Sequence, residues 1–338
     1  MTNQEEIQAN GAYTKAQIIG LALGPLLFIC TLLLFSPPGL SFEAKAVLAT
    51  TLWVATWWIT EAIPIPATSL LPIFLLPITG ALDSGTVTSS YGNDIIYLFL
   101  GGFFIATAME KWNLHKRMAL AIIAFVGTST QRILLGFMIA TAFLSMWVSN
   151  TASVMMMIPM ALAITKQVGS ALEGTPEAND IPVFEKALIF AVGYAGTIGG
   201  MGTLIGTPPN IILAAQAREL FGVEISFASW MLIGVPVVVT LLAIAWFYLG
   251  HVAFRMRIKG IPGGRALIQS ERSALGKISF EETVVACVFG FAAFMWITRG
   301  FIWSGLVPEI RDGMIAVLAA VMLFLIPAKS SITKASIN

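Results

Sequence analysis

Ser145, Ser149, Asn150 and Thr151 place three hydroxyls and an amide in the short segment 145–151, inside a run without charge. Ser145 and Ser149 are four apart and so share a helix face. Hydroxyl oxygens, an amide carbonyl and unwound backbone carbonyls are hard neutral ligands that suit a group-one cation. A helix beginning at about Thr151 would aim its free N–H groups and the positive end of its dipole into the same space, which favours an anion. One tip can thus hold a cation and an anionic group together. The competing reading is that these hydroxyls only bond back within their own helix.

A second interruption is GYAGTIGGMGTLIGTPPN, Gly193 to Asn210, within the uncharged stretch 187–217. Glycine weakens a helix and proline removes backbone donors, so this span should break in the middle. Carbonyls near Gly199 and Gly200 would then be free to coordinate a cation. Glycines can also mean only close helix packing. A third motif is WWITEAIPIPATSLLP, Trp57 to Pro72. Its tryptophans suit a membrane interface, and Pro64 and Pro66 stop the helix. The plain reading is an interfacial turn. As a ligand, the Glu61 carboxylate would repel an anion and serve a proton or a cation.

The elements that must position these groups follow from composition. The 338 residues are 57% hydrophobic and 11% charged, with mean hydropathy +0.86. A soluble domain carries roughly 25% charged residues. The chain is therefore expected to be an all-α polytopic membrane protein. A net charge of +1 says nothing about nucleic acid, and no nucleic-acid partner is expected. Cys30 and Cys287 read as small apolar packing residues. His115 and His251 form no metal-binding pair, and no nucleophile–base set is present, so an enzyme is not expected.

Apolar runs predict helices at 16–36, 45–61, 67–80 and 94–110, an interfacial piece at 118–127, and a hairpin at 132–168. A broken span at 183–222 follows, then helices at 229–254, 280–300 and 311–327. The hairpin rests on length. The uncharged residues 133–165 would make a straight helix of about 50 Å, against a hydrocarbon core of about 30 Å. That is too long for one span and too short for two full spans and a turn. Two half-length helices with Ser149-Asn150-Thr151 at the tip would fit. Charge supports the same topology. With the N-terminus inside and both arms starting inside, fifteen of the nineteen Lys and Arg face inward and only Lys45, Arg218, Arg299 and Arg311 face outward, as the positive-inside bias requires. The resulting division is a cytoplasmic segment at 1–15, scaffold-type spans at 16–131, the hairpin and broken helix at 132–222, and a closing span at 223–254. A cytoplasmic basic linker at 255–279 leads to further helices at 280–330 and a polar tail at 331–338.

The strings WWITEAIP, SNTAS and IGTPPN, with LFLGGFFIATAMEKWNLHKRMAL from Leu98 to Leu120, resemble the divalent anion/sodium symporter family of dicarboxylate, citrate and sulfate carriers, over about 16–330. The resemblance implies an inverted-repeat secondary transporter and a homodimer in the bilayer, with sodium as co-transported ion and no organic cofactor. Each repeat would supply a re-entrant hairpin and a broken helix. The resemblance implies a first sodium site at Ser145, Ser149, Asn150 and a carbonyl near Gly199, and a substrate site at Asn150, Thr151, Gly200 and Thr207. One departure stands out: residues 218–338 contain no second Ser-Asn-Thr and no second Thr-Pro-Pro. The first repeat is expected to be complete and the second partial.

The function implied is sodium-coupled symport of a C4-dicarboxylate such as succinate, or of citrate, by alternating access at the cell membrane. A sodium-independent exchanger, a sulfate carrier, and a truncated subunit that does not transport remain the rivals.

Overall fold

A computed structural model describes residues 13–127, 129–254, 258 and 264–329. The start of the N-terminal segment (1–12), the linker residues Arg255, Arg257, Lys259 and 260–263, and the 331–338 tail lie outside the described residues. All described elements are helical. Among them, six helical runs are long and apolar enough to cross a membrane. The chain is an all-α polytopic membrane protein. It divides into two compact units, residues 1–93 and 94–338.

In the first unit, α1 (Lys15–Leu34) and α2 (Phe42–Thr60) start at the hydroxyl caps Thr14 and Ser41. They approach closely because Gly20 and Gly24 offer no side chain there, and the Trp57 indole donates to Gly20 O at 2.9 Å. Glu61 closes α2 in the left-handed conformation, φ 48° and ψ 40°. Gln17 Nε2 donates to its carbonyl at 3.1 Å, so Glu61 serves as the turn residue. The expected single helix at 67–80 is two pieces, α3 (Ile65–Thr68) and α4 (Leu71–Ile78). Pro72 stands in the first turn of α4 and lacks an N–H, so the ladder is interrupted before it. A further helix, α5 (Ser84–Tyr91), begins where Asp83 accepts from Thr86 N; that Asp cap is its one sequence signal.

The second unit opens with α6 (Asp94–Lys111) and α7 (Leu114–Val126). Then come α8 (Thr130–Ser145), α9 (Asn150–Ala171), α10 (Ile181–Gly200) and α11 (Pro208–Phe221). The chain continues through α12 (Phe227–Phe247), with a π turn to Ala253, then α13 (Gly264–Ala274) and α14 (Phe280–Thr298). Last are the short α15 (Ser304–Leu306) and α16 (Asp312–Leu325). Helix α13 falls within the expected linker. It carries Ile268, which is buried, and lies along α7. Its apolar face is too short to stand out among the surrounding charges.

Two polar clusters mark opposite ends of α14. At its start, Arg117 of α7 grips Glu282 through Nε and Nη2, both at 3.0 Å, and also donates to Gly276 O at 3.1 Å. Lys329 N donates to Glu281 there. At its end, Arg299 pairs with Asp312 at 2.8 Å and with Glu224 at 3.1 Å, while Arg218 pairs with Asp94 at 2.8 Å. Asp312 also accepts from Phe227 N at 2.8 Å. Of the basic residues assigned inward by the charge bias, Arg117 and Lys329 thus lie at one end of α14, and Arg218, Arg299 and Arg311 of the outward set gather at the other.

Both arms of the expected hairpin pack on α10. Arm α8 starts beside the end of α12, where Gln131 Nε2 donates to Gly250 O at 2.8 Å. Arm α9 returns to the start of α10, where Thr165 Oγ1 bonds Glu185 at 3.2 Å. The arms differ in length: 16 residues against 22, or roughly 24 and 33 Å. The second arm is not half-length. It runs past exposed Lys166, because lysine and glutamine favour helix and the lysine stem reaches solvent.

Candidate functional site

Helix α8 ends because residues 146–148 turn back on it. Met146 N donates to Ala142 O at 3.1 Å, and Trp147 N and Val148 N both donate to Leu144 O at 2.9 Å. The Trp147 ring anchors this turn between Phe227 and Phe289, at 5.9 and 4.9 Å between centroids. Ser149 then adopts extended backbone and caps α9, its hydroxyl accepting from Ala152 N at 3.2 Å. For Ser149 the local bond foreseen as the competing reading is present.

Ser145 behaves differently. It is fully buried, and its hydroxyl lies 2.7 Å from Asn150 Oδ1 and 2.6 Å from Gly196 O. A hydroxyl has one proton to donate, so three neutral oxygens converge with a single proton among them. This acceptor-rich cluster has the donor chemistry a small hard cation takes.

The second break faces the first. Helix α10 ends at Gly200, and α11 starts after Thr207, whose side chain makes no capping bond. A Cβ at Gly200 would sit 2.9 Å from Asn150 Nδ2, and one at Gly196 would overlap Val154. Gly199 has its open side against the Ala142 backbone, and its carbonyl accepts from Gly202 N at 2.9 Å. The close-packing role of the glycines is therefore real at 199, and the carbonyl beside Ser145 is that of Gly196.

The structure thus brings together Ser145, Asn150 and Gly200. Ser149 borders them as a cap. Thr151 is exposed and Thr207 half-buried, and among the described residues no side-chain hydrogen bond ties either to the cluster. Sequence reasoning passed over Gly196, Thr203 and Asn210 as individual residues. Asn210 Nδ2 donates to Gly200 O at 2.9 Å and Thr203 O at 2.8 Å. Thr203 Oγ1 donates to Met146 O and accepts from Gly206 N at 3.1 Å. The available signal was the Thr203 hydroxyl and the Asn210 amide within a break rich in glycine and proline.

Comparison with known proteins agrees with this architecture. Residues 15–332 match the family described as the sodium:sulfate symporter transmembrane region. The chain belongs to this symporter family. The family is one of carriers and not of enzymes. The chain is 58% identical over 324 residues to a protein of Staphylococcus saprophyticus named sodium-dependent dicarboxylate transporter SdcS, covering 95% of this chain and 62% of that relative. It is 56% identical over 322 residues to a protein of the same name from Staphylococcus aureus, covering 94% of this chain and 62% of the relative. The chain therefore spans 62% of the length of these relatives.

Proposed function

We propose that this chain carries the sodium and carboxylate half-site of a sodium-coupled dicarboxylate carrier. The observation that supports this most is the convergence of Ser145 Oγ, Asn150 Oδ1 and Gly196 O between two helix breaks. Sodium would bind the neutral oxygens, and one substrate carboxylate would face Asn150, Thr151 and the starts of α9 and α11. The electrostatic logic is simple. A multivalent anion is costly in the membrane interior unless its charge is offset. Neither uncharged stretch, 133–165 nor 187–217, contains Lys or Arg, so co-bound sodium supplies the compensation.

The proposed cycle is alternating access at the cell membrane by a homodimer with a cytoplasmic N-terminus. Segment 132–222 would be the moving part, with α8 and α9 dipping in and returning to the inner side, and the breaks near mid-depth. The similarity to proteins named dicarboxylate transporters supports a dicarboxylate over sulfate, and the proposed substrate is a C4-dicarboxylate such as succinate. Proteoliposomes with an inward sodium gradient should take up labelled succinate, and sulfate in excess should compete poorly. Asn150→Ala removes a cation ligand and a carboxylate partner, so the initial rate should fall about 10- to 100-fold. Uptake indifferent to sodium would sink the coupling, and wild-type uptake by Asn150→Ala would sink the site.

A further inference from the structure

The three-oxygen cluster joins the tip after α8 to Gly196 inside α10, and the Ser145–Gly196 bond and the Gly199–Ala142 contact hold those two helices together. The loop beyond Gly200, against which Asn150 rests, is tied to the tip by Thr203. Thr203 is fully buried, and its hydroxyl is used twice: it donates across the gap to the carbonyl of Met146, the residue that ends α8, and accepts from Gly206 N within its own loop at 3.1 Å. The loop is in turn held by Asn210, which is 6% exposed and spends both amide hydrogens on Gly200 O and Thr203 O. The Trp230 indole donates to Met201 O at 2.9 Å and steadies the same loop from α12.

These bonds have a consequence for ion binding. The Gly200 carbonyl is occupied by Asn210, and the Gly199 carbonyl by Gly202 N. What faces the tip at Gly200 is its bare α-carbon, against which the Asn150 amide rests. The Asn150 orientation, and with it the distance between Asn150 Oδ1 and Gly196 O, depends on where the loop stands. That position is set by Thr203 and Asn210.

We propose that Thr203, held by Asn210, is a positioning residue that sets the cation affinity of the cluster without touching the ion. The inference rests on reading Ser145, Asn150 and Gly196 as a sodium site. It gives Thr203 the part that outer-shell partners play at other metal sites, where their loss costs about 10- to 100-fold in affinity.

The test is hydrogen exchange of the 143–156 segment in the purified 338-residue chain, titrated with sodium against a potassium background. Wild type should gain protection as sodium is added. Thr203→Val, which keeps the shape and loses the hydroxyl, should need about tenfold more sodium or greater for half-protection. Thr203→Ser, which restores the hydroxyl, should return close to wild type. Exchange in potassium alone reports folding, and should be alike in all three. If Thr203→Val exchanges globally in potassium, Asn210→Leu serves as the second variant, with the same shift expected. A wild-type sodium midpoint in a folded Thr203→Val or Asn210→Leu chain overturns the inference alone. Absence of any sodium-dependent protection in wild type overturns the sodium-site reading, and the inference with it.

Discussion

Gly199→Ala should be markedly less stable than wild type, while Gly193→Ala in the same helix should be as stable as wild type or better. Both glycines lie in α10, where alanine is intrinsically favoured by about 1 kcal/mol. At Gly193 nothing stands within 4 Å of the added methyl, so only the propensity gain remains. At Gly199 the methyl would meet the Ala142 backbone, with the carbonyl carbon at 2.7 Å. Backbone of a packed helix cannot step aside as a side chain does. Overpacking typically costs about 1–3 kcal/mol and occasionally more, and this contact belongs at the upper end. Detergent-solubilised thermal unfolding of the two variants checks the sign difference. Equal melting temperatures would mean that α8 and α10 are not in backbone contact at Ala142.

Arg117→Met should be the most damaging single side-chain change outside the two breaks. Glu282 is 7% exposed and Arg117 26%, and removing one partner leaves the other as a buried, unpaired charge. That costs about 3–5 kcal/mol in comparable sites. Arg117 also satisfies Gly276 O, so the loop before α14 loses its anchor to α7. Glu282 has a second duty, since Ser279 N donates to it at 2.7 Å in a capping box. Glu282→Gln retains a cap acceptor and discards the charge. The double variant Arg117→Met with Glu282→Gln should therefore be more stable than Arg117→Met alone. Additive losses in that cycle would show that the pair contributes packing and not charge compensation.

The all-α, membrane-spanning class was legible from composition, because so few charges cannot cover a soluble surface. The two breaks were legible for a different reason: serine, asparagine, glycine and proline have specific backbone consequences wherever they fall. What was not legible is three-dimensional partnering. The expectation placed the Gly199 carbonyl with sodium, whereas the structure seats Gly199 on Ala142 and brings Gly196 O to Ser145. Periodicity cannot say which carbonyl of a helix end faces a neighbour. The length argument for the hairpin treated Lys166 as an end, yet α9 runs on to Ala171, because a lysine near the end of a membrane helix can extend its stem. Helix α5 and helix α13 were missed since neither carries a long apolar face. Asp94 and Asp312, each at the start of a helix, join Arg218 and Arg299 in an ion-pair cluster across elements far apart in sequence.

Binding of radiolabelled succinate to the purified chain, compared in sodium and in potassium at equal ionic strength, tests the central claim most directly. The paired breaks predict binding that rises with sodium, is absent in potassium, and is lost in Ser145→Ala. Equal binding in the two salts, or sodium-dependent binding that survives Ser145→Ala unchanged, would contradict it.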